Sequence, residues 1–182
     1  TVRDRGELQA ATGAAVLGLI PIIRPAMAGA ASRLPWAATG NGTALEPRLI
    51  GPITAGDPAA EAYRSLRTNI TFSRPTSAPK ALVFTSPMPG DGKSTTAANM
   101  ALVLSQQGGR VLLVDADMRR GTLDEVFREM REPGLSNVLV GAVDLDDAIR
   151  TLEMEPDHTM DFITSGHFFH FKSNMPKRAR KT

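Results

Sequence analysis

The sequence predicts an α/β fold, a doubly wound, mainly parallel sheet, and three observations carry that expectation. The runs 81–85 and 111–114 are short, continuous and apolar, as expected of strands covered on both faces, and 160–164 reads as a third strand. Helix-forming stretches separate them, and strands alternating with helices need crossovers that make neighbouring strands parallel. The segment 86–95, Ser-Pro-Met-Pro-Gly-Asp-Gly-Lys-Ser-Thr, joins the first strand to a helix through a glycine-rich turn.

Taken in order, 4–11 has the makings of a short helix and 14–23 reads as a strand or extended segment. The run 26–58 is rich in Pro, Gly, Ala and Thr without a sustained period, which is the pattern of a linker. Asp57-Pro58 offers a helix start with proline at the first position. In the helix over 59–70, Ala62, Leu66 and Ile70 share one face, while Glu61, Arg64 and Arg67 recur on another. A helix over 94–107 is closed by Gly108-Gly109. Further helices are expected over 122–130, 136–140 and 144–151, the last with acids at the positive end of its dipole. This divides the chain into a lead-in and linker (1–56), a nucleotide-binding domain (57–166) incomplete at its C-terminus, and a basic tail (167–182).

The chain has 182 residues, 42% hydrophobic and 22% charged, enough for one domain with a core. Its net charge of +2 is uneven: Lys172, Lys177, Arg178, Arg180 and Lys181 lie in the last eleven positions. Without those five, sixteen basic residues face 19 acids, a net of −3, so the charge offers no case for a nucleic-acid partner. With no cysteine, disulfides and thiolate metal sites are excluded. The longest apolar stretch, 10–23, is broken by Thr12, Gly13, Gly18 and Pro21 and falls short of the roughly 20 residues a spanning helix needs.

In the turn 86–95, Gly90 and Gly92 let the backbone fold tightly and aim N–H groups at a phosphate. The helix that follows adds unpaired donors and a positive dipole end. Lys93 supplies a compact positive charge for β- and γ-phosphates, and the Ser94 hydroxyl can ligate Mg²⁺. Pro89, Gly90, Asp91, Gly92, Lys93, Ser94 and Thr95 are the candidate ATP-binding residues. Pro87 stands where the usual G-x-x-x-x-G-K-[S/T] pattern has its first glycine. A chance Gly-Lys-Ser in an ordinary turn is the plainer alternative, and the strand before and helix after argue against it.

The second strand ends in Asp115-Ala116-Asp117, 22 residues beyond Lys93 at Asp115. Ligands of open parallel sheets bind beyond the carboxyl ends of strands, which places both acids beside the phosphate turn. Carboxylates buried there need a cation, and Mg²⁺ is the natural one. Ser94, Asp115 and Asp117 are therefore the candidate metal ligands; the competing reading is a solvated turn with Asp117 as a helix cap.

With those residues in view, the chain resembles the bacterial tyrosine kinases of capsular and exopolysaccharide export. Segment 86–95 is similar to that family's Walker A motif, 111–119 to its second acidic motif, and 61–69 to its E-x-x-R-x-x-R helix. The segments 134–141 and 8–21 are similar too, so the likeness spans about 3–166. Partitioning ATPases of the Min and Par type carry a second lysine five positions before the loop lysine, where this chain has Met88. The family's Walker B strand has no counterpart after Gly166, and its terminal tyrosine cluster is absent, Tyr63 being the sole tyrosine.

The resemblance implies a P-loop fold, an ATP- and Mg²⁺-dependent tyrosine kinase, and a site in which Lys93, Asp115 and Asp117 are catalytic and Arg119 joins the nucleotide contacts. It also implies a ring-like homo-oligomer built through Glu61, Arg64 and Arg67, and a polysaccharide co-polymerase membrane domain as partner at the cytoplasmic face of the inner membrane. The alternatives are a partitioning-type ATPase and an ATP-sensing regulatory fragment without transfer activity.

Overall fold

The computed structural model of the chain describes residues 4–23, 49, 57–73, 77, 79–155 and 158–167. The basic tail beyond His167 and nearly all of the 26–58 linker lie outside the described residues. No helix among the described residues is long and apolar enough to cross a membrane.

By its contacts the chain divides into two units, 1–23 with 53–83, and 24–52 with 84–182. In the first unit, α1 (Arg5–Thr12) starts on Asp4, whose carboxylate accepts the Glu7 N–H at 2.8 Å, and ends on Gly13 at φ 67°. Both ends follow capping chemistry legible in the sequence. Helix α2 (Pro58–Thr71) begins as Asp57-Pro58 predicts: the Asp57 side chain accepts the Ala59 N–H at 2.7 Å, with Pro58 inside the first turn. It buries Ala59, Ala60 and Tyr63. The segment 14–23 forms neither helix nor strand. It lies along α2, where the Leu17 carbonyl accepts from Asn69 Nδ2 at 2.7 Å and Gly18 sits against Leu66. A side chain on Gly18 would come within 3.2 Å of Leu66 Cδ1.

The second unit holds a three-stranded sheet. Strand β1 (Leu112–Val114) pairs in parallel with β3 (His158–Ile163), and β2 (Arg150–Glu155) pairs antiparallel with β3, giving the order β1-β3-β2. Between β1 and β2 come α4 (Leu123–Phe127), α5 (Leu135–Leu139) and α6 (Leu145–Ala148). Helix α3 (Lys93–Ser105) packs Ala98, Ala101 and Leu102 into a core shared with Leu113, Leu123, Val126, Leu152 and Met160. At its centre Phe127 and Phe162 meet at 4.6 Å between ring centroids, tilted by 40°. Such a pair adds about 0.5–1.5 kcal/mol beyond the area it buries.

The α/β class and the parallel pairing agree with the sequence; two elements differ. The expected strand 81–85 pairs with no strand among the described residues, and Val83 is 92% exposed. A continuous apolar run becomes a ladder only where another backbone lies alongside to exchange hydrogen bonds. The helix expected over 144–151 stops at Ala148, because Ile149 already has extended backbone angles (φ −77°, ψ 136°). Arg150 and Thr151 instead open β2, the first arm of a hairpin whose alternation (Thr151 and Glu153 exposed, Leu152 buried) is written in the sequence.

The 134–141 segment is bound to the end of β3. The Leu135 and Ser136 N–H groups donate to the Thr164 and Ser165 carbonyls at 2.8 and 3.0 Å, and Asn137 Oδ1 accepts the Gly134 N–H at 3.0 Å. The two backbones are so close that a Cβ on Gly134 would overlap the Gly166 amide and come within 2.7 Å of the Thr164 carbonyl oxygen. Gly134→Ala is therefore expected to destabilise the fold by at least about 1–3 kcal/mol. Equilibrium urea unfolding measures it, and an unchanged midpoint would contradict the close approach.

Candidate functional site

The turn that opens α3 takes its shape from two glycines and one carboxylate. Gly90 and Gly92 both have φ 88°, a conformation that costs a residue with Cβ, although each position has open space around it. Backbone geometry rather than crowding thus demands glycine here. Asp91 turns its carboxylate back on the loop, accepting the Met88 N–H at 3.1 Å, and Ser86 Oγ donates to the Met88 carbonyl at 2.9 Å. Asp91 therefore shapes the loop, a role the motif alone does not specify. Pro89, Gly90 and Asp91 are exposed, and Gly92, Lys93, Ser94 and Thr95 are half-buried.

Helix α3 starts without a side-chain cap, on Gly92 in the left-handed conformation. Its first backbone bond runs from the Thr96 N–H to the Gly92 carbonyl at 2.8 Å. An α-helix start has N–H groups and a positive dipole end directed at whatever lies before it, and Gly92 at the cap position has no side chain to accept from them. That is the donor set a phosphate requires.

Across from the turn, the end of β1 delivers the two acids. Asp115 is 7% exposed and extends the ladder, its N–H donating to the Ile163 carbonyl at 3.0 Å. Its Oδ1 accepts the Asp117 N–H at 3.1 Å, and its Oδ2 accepts the Thr122 and Leu123 N–H groups at 2.9 and 3.1 Å. The carboxylate thus ties the end of β1 to the start of α4. A carboxylate has about four lone-pair sites, so these three amides leave room for one further ligand.

Asp117 Oδ2 meets Lys93 Nζ at 2.8 Å, with each side chain about one-third exposed. Its Oδ1 accepts the Arg120 N–H at 3.0 Å. The bond from Lys93, followed by the Arg120 amide, holds the Asp117 carboxyl below its ordinary value of 3.8 against a smaller opposing effect of burial. The phosphate turn and the acidic strand end are therefore adjacent, as the spacing of the two motifs predicts. Arg119 is exposed.

Sequence reasoning missed Arg131. Its Nε and Nη2 donate to the two Asp124 oxygens at 2.9 and 3.2 Å, and Nη2 also reaches the Gly121 carbonyl at 2.8 Å. The Asp124 bond raises the Arg131 pKa against desolvation, with the charges of Asp124, Glu125 and Asp115 adding to it. Bonds that span seven and ten residues around a turn leave no periodic trace in a sequence. Among the described residues no cluster of His, Cys, Asp and Glu suits a metal on its own. The carboxylates here fit a cation whose remaining ligands come from phosphate oxygens and Ser94, as Mg²⁺ does in nucleotide sites.

The third group of expected residues lies on α2, in the other unit. Arg64 Nη1 pairs with Glu61 Oε2 at 3.2 Å, one turn along the same helix. Glu61 is exposed and Arg67 half-buried.

Comparison with known proteins agrees with this geometry. A family model described as an AAA domain matches residues 80–177. The tyrosine-protein kinase YwqD of Bacillus subtilis is 41% identical over 107 residues, 59% of this chain and 44% of YwqD. The chain therefore spans less than half the length of that relative. Among solved structures, the chimerical protein CapA2B2 superposes with a TM-score of 0.70 at 30% identity, covering 96% of this chain and 62% of that one. The BceF tyrosine kinase domain superposes at 0.65, also at 30% identity, over 98% of this chain and 71% of its own. The sheet, the glycine turn and the acidic strand end are thus those of a P-loop nucleotide-binding fold, and the chain belongs to the AAA domain family, among the relatives of the bacterial tyrosine kinases.

Proposed function

We propose that this chain is the ATP-binding part of a tyrosine-protein kinase that regulates exopolysaccharide or capsule synthesis and export at the cytoplasmic face of the bacterial inner membrane. The observation that carries the reading is the 2.8 Å approach of Lys93 to Asp117, which joins a phosphate-binding turn to an acidic strand end. Relatives named tyrosine-protein kinase support the reaction class. On this reading 57–166 is the partial kinase domain, with 1–56 leading in from a membrane-bound partner.

The residues fit Mg-ATP. The glycine-capped start of α3 and the amides of 90–95 would receive the β- and γ-phosphates, and Lys93 would neutralise them. Ser94, Asp115 and Asp117 would hold the metal, which when bound draws charge from the phosphate oxygens. Transfer to a tyrosine hydroxyl then depends on positioning and charge. A carboxylate oxygen of Asp115 or Asp117 would accept the hydroxyl proton. Pro89 and Gly90 would shape the approach of the phosphates, and Arg119 would join the nucleotide contacts.

Lys93→Met removes a charge-assisted contact of about 1.5–3 kcal/mol, so Mg-ATP affinity is expected to fall about 10–150-fold by calorimetry. Phosphate transfer to a supplied tyrosine substrate should stop in the same variant. Uptake without transfer in the unaltered chain would instead favour an ATP-sensing module.

The Lys93–Asp117 pair has its own pH signature. A carboxyl held below 3.8 in the folded chain stabilises it above that value, and the contribution disappears as pH falls through the lowered pKa. The stability difference between the unaltered chain and Asp117→Asn should be constant from pH 8 to 5 and shrink only below pH 3.8. Thermal melts across that range measure it; a difference that fades near pH 6 would rule Asp117 out as its source.

Assembly through α2 is part of the same proposal. Glu61, Arg64 and Arg67 would pair with complementary charges on a neighbouring copy, and exposed pairs of this kind contribute modestly and weaken with salt. Glu61→Ala with Arg67→Ala should shift the particle size from oligomer to monomer in light scattering. An unchanged size would remove this helix from the interface.

A further inference from the structure

The acidic side of the site is gripped by a residue outside every motif. Arg131 is anchored at both ends. Its backbone carbonyl accepts from Thr164 Oγ1 at 2.7 Å, just beyond β3, and Thr164 Oγ1 also accepts from Arg150 Nη1 at 3.3 Å. From there the guanidinium forks onto Asp124 at 2.9 and 3.2 Å and onto the Gly121 carbonyl at 2.8 Å. Asp124 lies in the first turn of α4, and Gly121 lies in the turn that leads from Asp117 into that helix.

Gly121 is pressed from another side as well. A Cβ there would overlap Ser165 Oγ and come within 2.8 Å of Asp115 Oδ2. The turn from Asp115 to Asp124 is therefore fixed at its beginning by the β1–β3 ladder, in its middle by Asp115 itself, and at its far end by Arg131. Asp117, inside that turn, meets Lys93 only if the whole turn holds its shape.

We propose that Arg131 is a positioning residue for the magnesium-handling carboxylates, holding the 115–124 turn so that Asp117 faces Lys93 and Asp115 keeps its orientation. The inference rests on the phosphate-site reading. The fork is what matters. Lysine would keep the charge, but its point-like ammonium cannot meet both Asp124 oxygens and the Gly121 carbonyl in one plane. Residues that orient the ligands of a metal commonly change metal affinity about 10–100-fold when lost.

The test is calorimetric titration of the full 182-residue chain with ADP, with Mg²⁺ and in its absence under chelation, for the unaltered protein, Arg131→Lys, Arg131→Ala and Asp124→Asn. Melting temperatures are recorded for each. The unaltered chain should bind ADP more tightly with Mg²⁺, and the variants should lose about 10–100-fold of that increment while metal-free ADP affinity is unchanged. Should Arg131→Ala fail to fold, Arg131→Lys and Asp124→Asn carry the decision. A preserved Mg²⁺ increment in folded Arg131→Lys and Asp124→Asn would overturn the positioning role while leaving the phosphate site intact. Parallel losses with and without Mg²⁺ would show general destabilisation instead and also overturn it. If the unaltered chain binds no ADP under either condition, the phosphate-site reading falls and takes this inference with it.

Discussion

The rest of the second unit depends on one buried carboxylate. Asp115 leaves the β1–β3 ladder, folds its side chain over the following turn, and collects three backbone N–H groups, two of them at the start of α4. A carboxylate removed from water is costly unless such partners replace the solvent. Here the cost and its compensation are linked to geometry: the bonds that satisfy Asp115 also fix where α4 begins and where Asp117 points. A residue that looks from its motif like a metal ligand is first of all the joint between strand and helix.

The electrostatics of the site follow from that joint. Lys93 sits in the first turn of α3, where the dipole already places positive charge, so an unpaired ammonium there is disfavoured. Asp117 supplies the balancing charge at 2.8 Å. The helix start suits a polyanion, and the carboxylates at the end of β1 suit the cation that accompanies one. Glycine at 90 and 92 lets the backbone take its left-handed angles.

Packing behind the site is tight where function needs rigidity. The backbone contact between Gly134 and Gly166 and the seat of Gly121 against Ser165 leave no space for a single methyl group. By contrast Val83 is almost fully exposed, and Leu112 and Val114 of β1 are nearly half-exposed. Close packing thus concentrates at the ends of β1 and β3, where the candidate ligands emerge.

Local chemistry was enough to read much of this molecule. Asp4 and Asp57-Pro58 start their helices through short-range caps, and Gly92-Lys93-Ser94 forms the glycine turn and helix start that the motif predicts. The parallel pairing of β1 with β3 followed from the alternation of apolar runs and helical stretches, whereas the antiparallel β2 did not. Tertiary structure decided the rest, since long-range partners leave no period in a sequence. It determined that 81–85 stays without a ladder among the described residues and that Arg150 turns into a hairpin strand beside β3. It also spent the Asp115 oxygens on backbone amides and brought Arg131 across ten residues to hold Gly121. Residue type and spacing state which groups can do chemistry; only the folded chain states which of them are already engaged, because engagement depends on backbone brought close from far along the sequence.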